Sequence, residues 1–195
     1  MRHDVAVIVL AGGEGVRIGG GKPLKTLAGE RLIDRALRTA ASWSDQIAVA
    51  VRDPAQVEWV NAPVVTDEPE IGGPLEGLVA ALRFAAHSGR ELVLTIPADT
   101  PFLPADLLGR LRSEIGNCSC ALASSGQQIH PVCGLWRTSV LKQVRSYVAG
   151  TRRSVKGFAE LVGFREVEWP SEPFDPFFNI NTEGDLARAE PRARH

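Results

Sequence analysis

The chain has 195 residues, enough for one well-packed domain with at most a small appended lobe, and too few to assume two independent ones. Apolar residues make up 44%, charged residues 23%, and the formal net charge is -1; these are ordinary values for a soluble globular protein and argue against an electrostatic nucleic-acid binder, since no Lys/Arg run forms a stripe. No apolar run approaches the roughly 18 residues that a membrane span requires.

In chain order, the first element is a strand at Val5–Leu10, with no signal-peptide-like apolar region before it. A helix follows, because Leu32, Ile33, Ala36, Leu37, Ala40 and Ala41 recur at helical steps. Strands are expected at Gln46–Val51 and Pro63–Thr66, then a helix after GGPLEG with Leu75, Leu78, Val79, Leu82 and Phe84 or Ala85 as its buried set. Glu91–Ile96 reads as a strand and Pro104–Ile115 as a helix with proline in its first turn. Cys120–Ser124 and Val132–Trp136 read as strands. After Trp136 the rhythm is less regular: helices over Ser139–Ala149 and Val155–Leu161, a strand at Phe164–Trp169, and a terminal helix opened by Thr182 and Asp185 as a capping box. Strands alternating with helices predict the α/β class with a largely parallel sheet. Residues 1–190 are expected to form a single domain, and 191–195 a frayed, solvated tail. Cys118, Cys120 and Cys133 are an odd set without Cys-x-x-Cys spacing, which points to the cytoplasm and to small core thiols on a strand.

The stretch VIVLAGGEGVRIGGGKPL, Val7 to Leu24, carries the most chemistry. A dinucleotide fold calls for GxGxxG after the strand; Gly13 and Gly15 fit, but Ile18 stands at the third position. A P-loop calls for GxxxxGK followed by Ser or Thr; Gly21 and Lys22 fit, but Val16 and Pro23 fill two required positions. What remains is a strand running into a glycine-rich loop with two cations. Glycines let backbone N–H groups converge on phosphate oxygens. Arg17 can grip two oxygens of a triphosphate, and Lys22 supplies a point charge that follows the α-phosphate.

The pattern Leu10-Ala11-Gly12-Gly13, then Arg17, Gly19, Lys22 and Leu24, resembles the signature loop of nucleotidylyltransferases of the glycosyltransferase-A, or nucleotide-diphospho-sugar transferase, type. Within that superfamily the chain is similar to the molybdenum cofactor guanylyltransferases along most of its length: VVTDEP, GGPLEGL, PADTPFLP, HPVCGLW and FFNINTEGDLARA follow in matching order and spacing. The resemblance implies a Rossmann-like three-layer α/β/α fold with a mainly parallel mixed sheet. It implies transfer of GMP from GTP to the terminal phosphate of molybdopterin, the molybdenum cofactor, with Mg2+ as cofactor and release of pyrophosphate. It further suggests molybdoenzymes or their chaperones as partners, with no nucleic acid and no membrane. Gly12-Gly13 favours guanine, because the related cytidylyltransferases tend to carry LAAG here. The alternatives are a relative using CTP or a sugar phosphate, and a non-catalytic nucleotide- or cofactor-binding protein. Two positions depart from the family: Gly21 stands where many relatives have an acidic residue, and a polar residue often found near Val51 is missing. Both bear on base or ribose contacts.

Under this resemblance Leu10, Ala11, Gly12, Gly13, Arg17, Lys22, Asp67, Gly73 and Asp99 bind the nucleotide, and Asp99, Lys22 and Arg17 are the catalytic set. Asp67 closes a strand, and its carboxylate can accept two hydrogen bonds side by side from guanine N1–H and N2–H₂; alternatively it caps a turn. Gly73 precedes a helix whose N-terminal amides could face the nucleotide, or it forms a simple turn. Asp99, just past an apolar strand, offers the carboxylate that magnesium takes together with water and phosphate oxygens. Asn179 or Asn181 could complete the metal shell, or Asn181 could cap the last helix. His130 is expected to position the acceptor and not to act as a base, because a phosphate nucleophile is already anionic. Arg152, Arg153 and Lys156 could receive the acceptor's phosphate and pterin, or be solvated turn charges.

Overall fold

The computed structural model describes residues 4–12, 22–57, 59–66, 71–150 and 153–194. Strand β1 (Val5–Leu10) sends Val5, Val7 and Val9 to one face of a sheet and Ala6 and Ile8 to the other, and all five are buried. A strand covered on both faces has no polar face to present, which is why its sequence is an unbroken apolar run. Around it lie β4 (Ile47–Val51), β5 (Val64–Thr66), β6 (Leu92–Pro97), β7 (Cys120–Ser125), β8 (Gln128–Arg137) and β9 (Phe164–Trp169). They form a seven-stranded sheet in the order β5-β4-β1-β6-β8-β7-β9. All neighbours are parallel except β8, which runs antiparallel to both β6 and β7. A small hairpin, β2 (Thr26–Leu27) with β3 (Glu30–Arg31), leads into the first helix.

Helices α1 (Leu32–Trp43) and α3 (Leu107–Glu114) cover one face, where Ile33, Ala36, Ala40, Leu107 and Leu111 join the β1 valines. Helices α2 (Leu75–His87), α4 (Leu141–Ala149) and α5 (Val155–Val162) cover the other, contributing Leu78, Leu82, Val144, Tyr147 and Phe158. The three-layer α/β/α arrangement with a mainly parallel mixed sheet is thus the one expected. Ala85 is fully buried on α2 while Phe84 only packs against the core, and Ala41 on α1 is exposed. Cys120 and Cys133 are buried core thiols; Cys118 lies ahead of β7 and is half-buried. Burial pushes the Cys120 thiol up to about 12, so it behaves as a small apolar group.

Three elements differ from expectation. Helix α3 begins at Leu107, because Pro104 opens a turn whose carbonyl accepts from the Leu107 amide at 3.0 Å. Strand β8 begins at Gln128, four residues early, and forms a hairpin with β7 through Gly126 and Gln127, both at positive φ (52° and 65°). Two consecutive left-handed residues make the tight turn that matches strand twist; the polar residues and Pro131 hide this strand from an apolar-run criterion. Helix α6 (Glu183–Ala193) extends into the segment expected to be a tail, and Arg192 lies over the Phe174 ring. The capping box opening α6 forms as expected: Thr182 Oγ1 accepts from the Asp185 amide at 3.1 Å, and Asp185 Oδ2 accepts from the Thr182 amide at 2.9 Å.

Candidate active site

The chain leaves β1 toward β4 and β5 on one side and returns through α2 to β6 on the other, so strand order reverses between β1 and β6. Open α/β sheets bind ligands in the crevice at such a switch point, beyond the carboxyl ends of the strands. A cavity of about 350 Å³ lies there. Leu10 and Gly12 line it from the end of β1, Pro97 and Asp99 from the end of β6. Ala50 and Arg52 come from β4 and the residue after it, and Gly73, Pro74 and Gly77 from the start of α2. Val132 and Asn179 close the side toward β8.

The opening toward β8 has a local cause. Strand β8 pairs with β6 only from Arg137 to Gly134, leaving Ile96 and Pro97 without a β8 partner. On its other edge the register with β7 jumps from Leu122↔Gly134 to Ala123↔His130, so three residues, Pro131 to Cys133, bulge from the ladder. Proline cannot donate to a ladder, which suits it to this bulge. Gly134 permits the tight approach just before it: a Cβ there would lie 2.6 Å from Leu122 and 2.8 Å from the Trp136 indole nitrogen.

Asp99 lines the cavity just past the end of β6, held by the segment before α6. The Ile180 amide donates to the Asp99 carbonyl at 2.9 Å. The Asn179 side chain faces the same residue; with its amide nitrogen turned inward it donates to Asp99 Oδ2 at 3.0 Å, to the Asp99 carbonyl at 3.2 Å and to Thr100 Oγ1 at 3.3 Å. Asn179 therefore fixes the carboxylate, and Ile180, fully buried between Leu27, Leu32 and Ala189, anchors the segment. Asn181 does not line the cavity; its amide donates to Asp185 Oδ2 at 3.0 Å, so it belongs to the α6 cap while Thr182 supplies the capping side chain.

On the β4 side, Arg52 Nε lies 3.5 Å from Glu76 Oε2. Glu76 is nearly buried in the first turn of α2, where the helix dipole favours its charge. Val51, the position where a polar residue is missing, is wholly buried, and Arg52 is the side chain from this strand end that reaches the cavity. Arg52 and Glu76 were not anticipated from sequence, although Arg52 obeys the same strand-end rule that singled out Asp67 and Asp99. Gly72 and Gly73 carry the chain into α2 at φ 73° and 70°, conformations that L side chains rarely adopt. A Cβ on Gly73 would also lie 3.0 Å from Arg153 Cβ.

On the β7/β8 side of the sheet, outside the cavity lining, His130 stacks on Phe177 with ring centroids 4.7 Å apart. Its Nε2 is 2.8 Å from Ser125 Oγ, which in turn is 2.8 Å from Asp175 Oδ1. Burial lowers the imidazole pKa from its ordinary value, with the Asp175 charge opposing the shift, which favours the neutral ring. Ser125 and Asp175 also escaped sequence reasoning; they are ordinary polar residues 50 positions apart.

Arg153 packs against Gly72 and Gly73 and donates to the Val148 carbonyl at 2.7 Å, and Lys156 is exposed on α5; neither lines the cavity. Gly13, Arg17, Asp67 and Arg152 lie outside the described residues, as does the side chain of Lys22, which opens a short 3-10 turn at Lys22–Leu24. Among the described residues no group of three or more His, Cys, Asp or Glu could hold a metal ion, and no helix is long and apolar enough to cross a membrane.

The model of the MobA-like NTP transferase domain matches residues 7–162. A molybdenum cofactor guanylyltransferase from Cereibacter sphaeroides is 39% identical over 190 residues, covering 96% of each chain. One from Rhodopseudomonas palustris is 41% identical over 191 residues, covering 94% of this chain and 91% of that protein. Among solved structures, the molybdopterin-guanine dinucleotide biosynthesis protein A of Archaeoglobus fulgidus superposes with a TM-score of 0.77 at 27% identity, covering 97% of this chain and 98% of that one. A CMP:2-keto-3-deoxy-manno-octonic acid synthetase bound to CTP, at 13% identity and a TM-score of 0.73, shares the fold.

Proposed function

Because the chain belongs to the MobA-like NTP transferase family, we propose that it transfers GMP from GTP to the terminal phosphate of molybdopterin, releasing pyrophosphate. The observation that carries this reading is Asp99, held by Asn179 and Ile180 in the lining of a switch-point cavity. To one side lie Arg52 and the N-terminus of α2, and to the other the bulge of β8. The nucleoside belongs on the first side. Strands are about 4.8 Å apart, so the end of β4 lies two strands, or roughly 10 Å, from the end of β6, a spacing that suits a base while the α-phosphate lies near Asp99. Arg52, kept in place by Glu76, then borders the nucleoside, and Asp67 accepts from the guanine edge. The Gly12 and Gly13 amides with Arg17 and Lys22 take the triphosphate.

The acceptor approaches from the β8 side, next to Val132 and His130. Its phosphate is already anionic and needs no strong base, so the protein's work is alignment for in-line attack and neutralisation of charge. Asp99 is a hard oxygen donor and the one carboxylate among the described cavity-lining residues, which fits a Mg2+ that takes its other ligands from phosphate and water. Bound there, Mg2+ would offset the charge of the triphosphate and of the leaving pyrophosphate. Asn179, donating to Asp99, aims the carboxylate and is the asparagine of this segment that lines the cavity. The three free cysteines support a reducing, cytoplasmic setting, and the proposed recipients of the product are molybdoenzymes or their chaperones.

The test is pyrophosphate release with Mg2+ and GTP in the presence and absence of purified molybdopterin. The expected result is release that depends on the acceptor and matches guanine dinucleotide formed one for one. GTP binding without any acceptor-dependent release would replace this reading with a non-catalytic binding protein.

A further inference from the structure

The contacts around His130 determine more than its position. Asp175 carries a carboxylate, which can only accept; its Oδ1 receives the Phe177 amide at 2.9 Å and the Ser125 hydroxyl at 2.8 Å. Ser125 has a single proton, and Asp175 takes it. The 2.8 Å contact between Ser125 Oγ and His130 Nε2 must therefore run the other way, with Nε2–H donating to the hydroxyl oxygen. Ser125 is 2% exposed, so no bulk water competes for this arrangement. A neutral imidazole with its proton on Nε2 has a lone pair on Nδ1. No described residue other than Ser125 hydrogen-bonds the ring, and Phe177 covers one of its faces.

We propose that Ser125 and Asp175 are positioning residues that fix His130 as the Nε2–H tautomer, so that Nδ1 accepts a hydrogen bond from an N–H-bearing heterocycle on the acceptor side of the cavity. His130 does not itself line the cavity; it pairs with Ala123 at the edge of the bulge, two residues before cavity-lining Val132, so an acceptor that passes Val132 toward β7 would meet it. A neutral ring with an exposed lone pair repels a phosphate and suits the amino or ring N–H groups of a pterin. This inference rests on the guanylyl-transfer reading for the identity of the acceptor, but the tautomer itself does not depend on that reading.

Two measurements on the full-length protein test it. The first is ¹H–¹⁵N NMR of the histidine rings, with His130 identified by its absence in His130→Gln. The wild type is expected to show a single Nε2–H tautomer with a directly visible N–H, and Ser125→Ala to lose that N–H signal and give averaged tautomer shifts. An Nδ1–H ring in the wild type, or an unchanged ring in Ser125→Ala, overturns the proposal. The second is steady-state kinetics with GTP and purified molybdopterin. Loss of one neutral hydrogen bond corresponds to about a three- to ten-fold change. His130→Gln keeps a donor toward Ser125 but has no acceptor at the Nδ1 position, and it should raise KM for molybdopterin by that factor without moving KM for GTP. His130→Asn, whose amide oxygen can stand near Nδ1, should recover most of the loss. Active His130→Gln with an unchanged acceptor KM refutes the Nδ1 contact while leaving guanylyl transfer intact. A wild type that transfers nothing to molybdopterin refutes the acceptor assignment even where the tautomer is as stated.

Discussion

The two halves of the cavity are built by different means. On the β4 side, parallel strands end in line and deliver Gly12, Arg52 and Asp99 by the same device, a residue just past the carboxyl end of a strand. On the β8 side the sheet turns antiparallel and a bulge containing Pro131 breaks the ladder next to cavity-lining Val132, while Ser125, His130 and Asp175, outside the lining, are brought together by a hairpin and a segment 50 residues away. The first half follows from the α/β framework itself, a fold that structures as distant as the 13% identical synthetase share. The second half depends on how β8 bends, through a bulge that regular strand pairing does not produce. Regular strand ends thus present residues by a common device, whereas the irregular strand needs a hairpin and a bulge to do so.

Asp99 joins the halves, and changing it should have the largest effect. Asp99→Ala is expected to lower turnover by at least 10²–10³-fold, the range for removing a preorganised charge-stabilising group, while circular dichroism shows an intact fold. Near-normal transfer by this variant would break the assignment of the centre. Next comes Arg52→Ala, which should raise KM for GTP about ten- to hundred-fold, in keeping with the roughly 1.5–3 kcal/mol of a hydrogen bond to a charged group, and leave the acceptor KM unchanged. A shift in the acceptor KM instead would mean that the two halves are not separate. Gly73→Ala forces a Cβ into a left-handed conformation against Arg153, and about 1–2 kcal/mol of stability should be lost; equilibrium denaturation reads it directly.

The smallest effect is expected at the α6 cap. Thr182→Ala should cost about 1 kcal/mol by denaturation with turnover little changed, since the cap touches neither half of the cavity directly. Burial pulls the Asp185 carboxyl upward, but the Thr182 hydroxyl and the Asn181 and Thr182 amides outweigh it and hold its pKa below the ordinary 3.8. A lowered carboxylate pKa adds stability that is present above 3.8 and lost as pH falls through the folded value. The stability difference between wild type and Thr182→Ala should therefore shrink in strong acid.

The legible parts of the fold were those where one physical cause dominates. β1 announced itself because a strand buried on both faces must be apolar throughout, and the α6 cap because Thr182 and Asp185 act across three residues of local chain. Asp99 was legible for the same kind of reason, a charged residue at the end of an apolar run. Arg52 fits that pattern too, but attention to Val51, one residue earlier and wholly buried, pointed to a missing polar group where the side chain in use is its neighbour. Ser125, His130 and Asp175 could not be joined in advance, because their contacts depend on a type of turn at Gly126-Gln127 that residue preferences disfavour and on a bulge whose size no local pattern specifies. The placing of Asn179 and Asn181 likewise waited on Ile180, whose burial anchors the segment with the Asn179 side chain toward Asp99 and the Asn181 backbone N–H donating to the Asp185 carboxylate of the cap.

The central claim is that this cavity selects guanine for transfer to molybdopterin. Its most direct test is kcat/KM for dinucleotide formation with GTP and with CTP, measured on the same preparation with purified molybdopterin. The account predicts a preference for GTP of about 100-fold or more, the scale of discrimination when a site's paired polar groups are left unmatched. Equal use of the two nucleotides, or a preference for CTP, would contradict it.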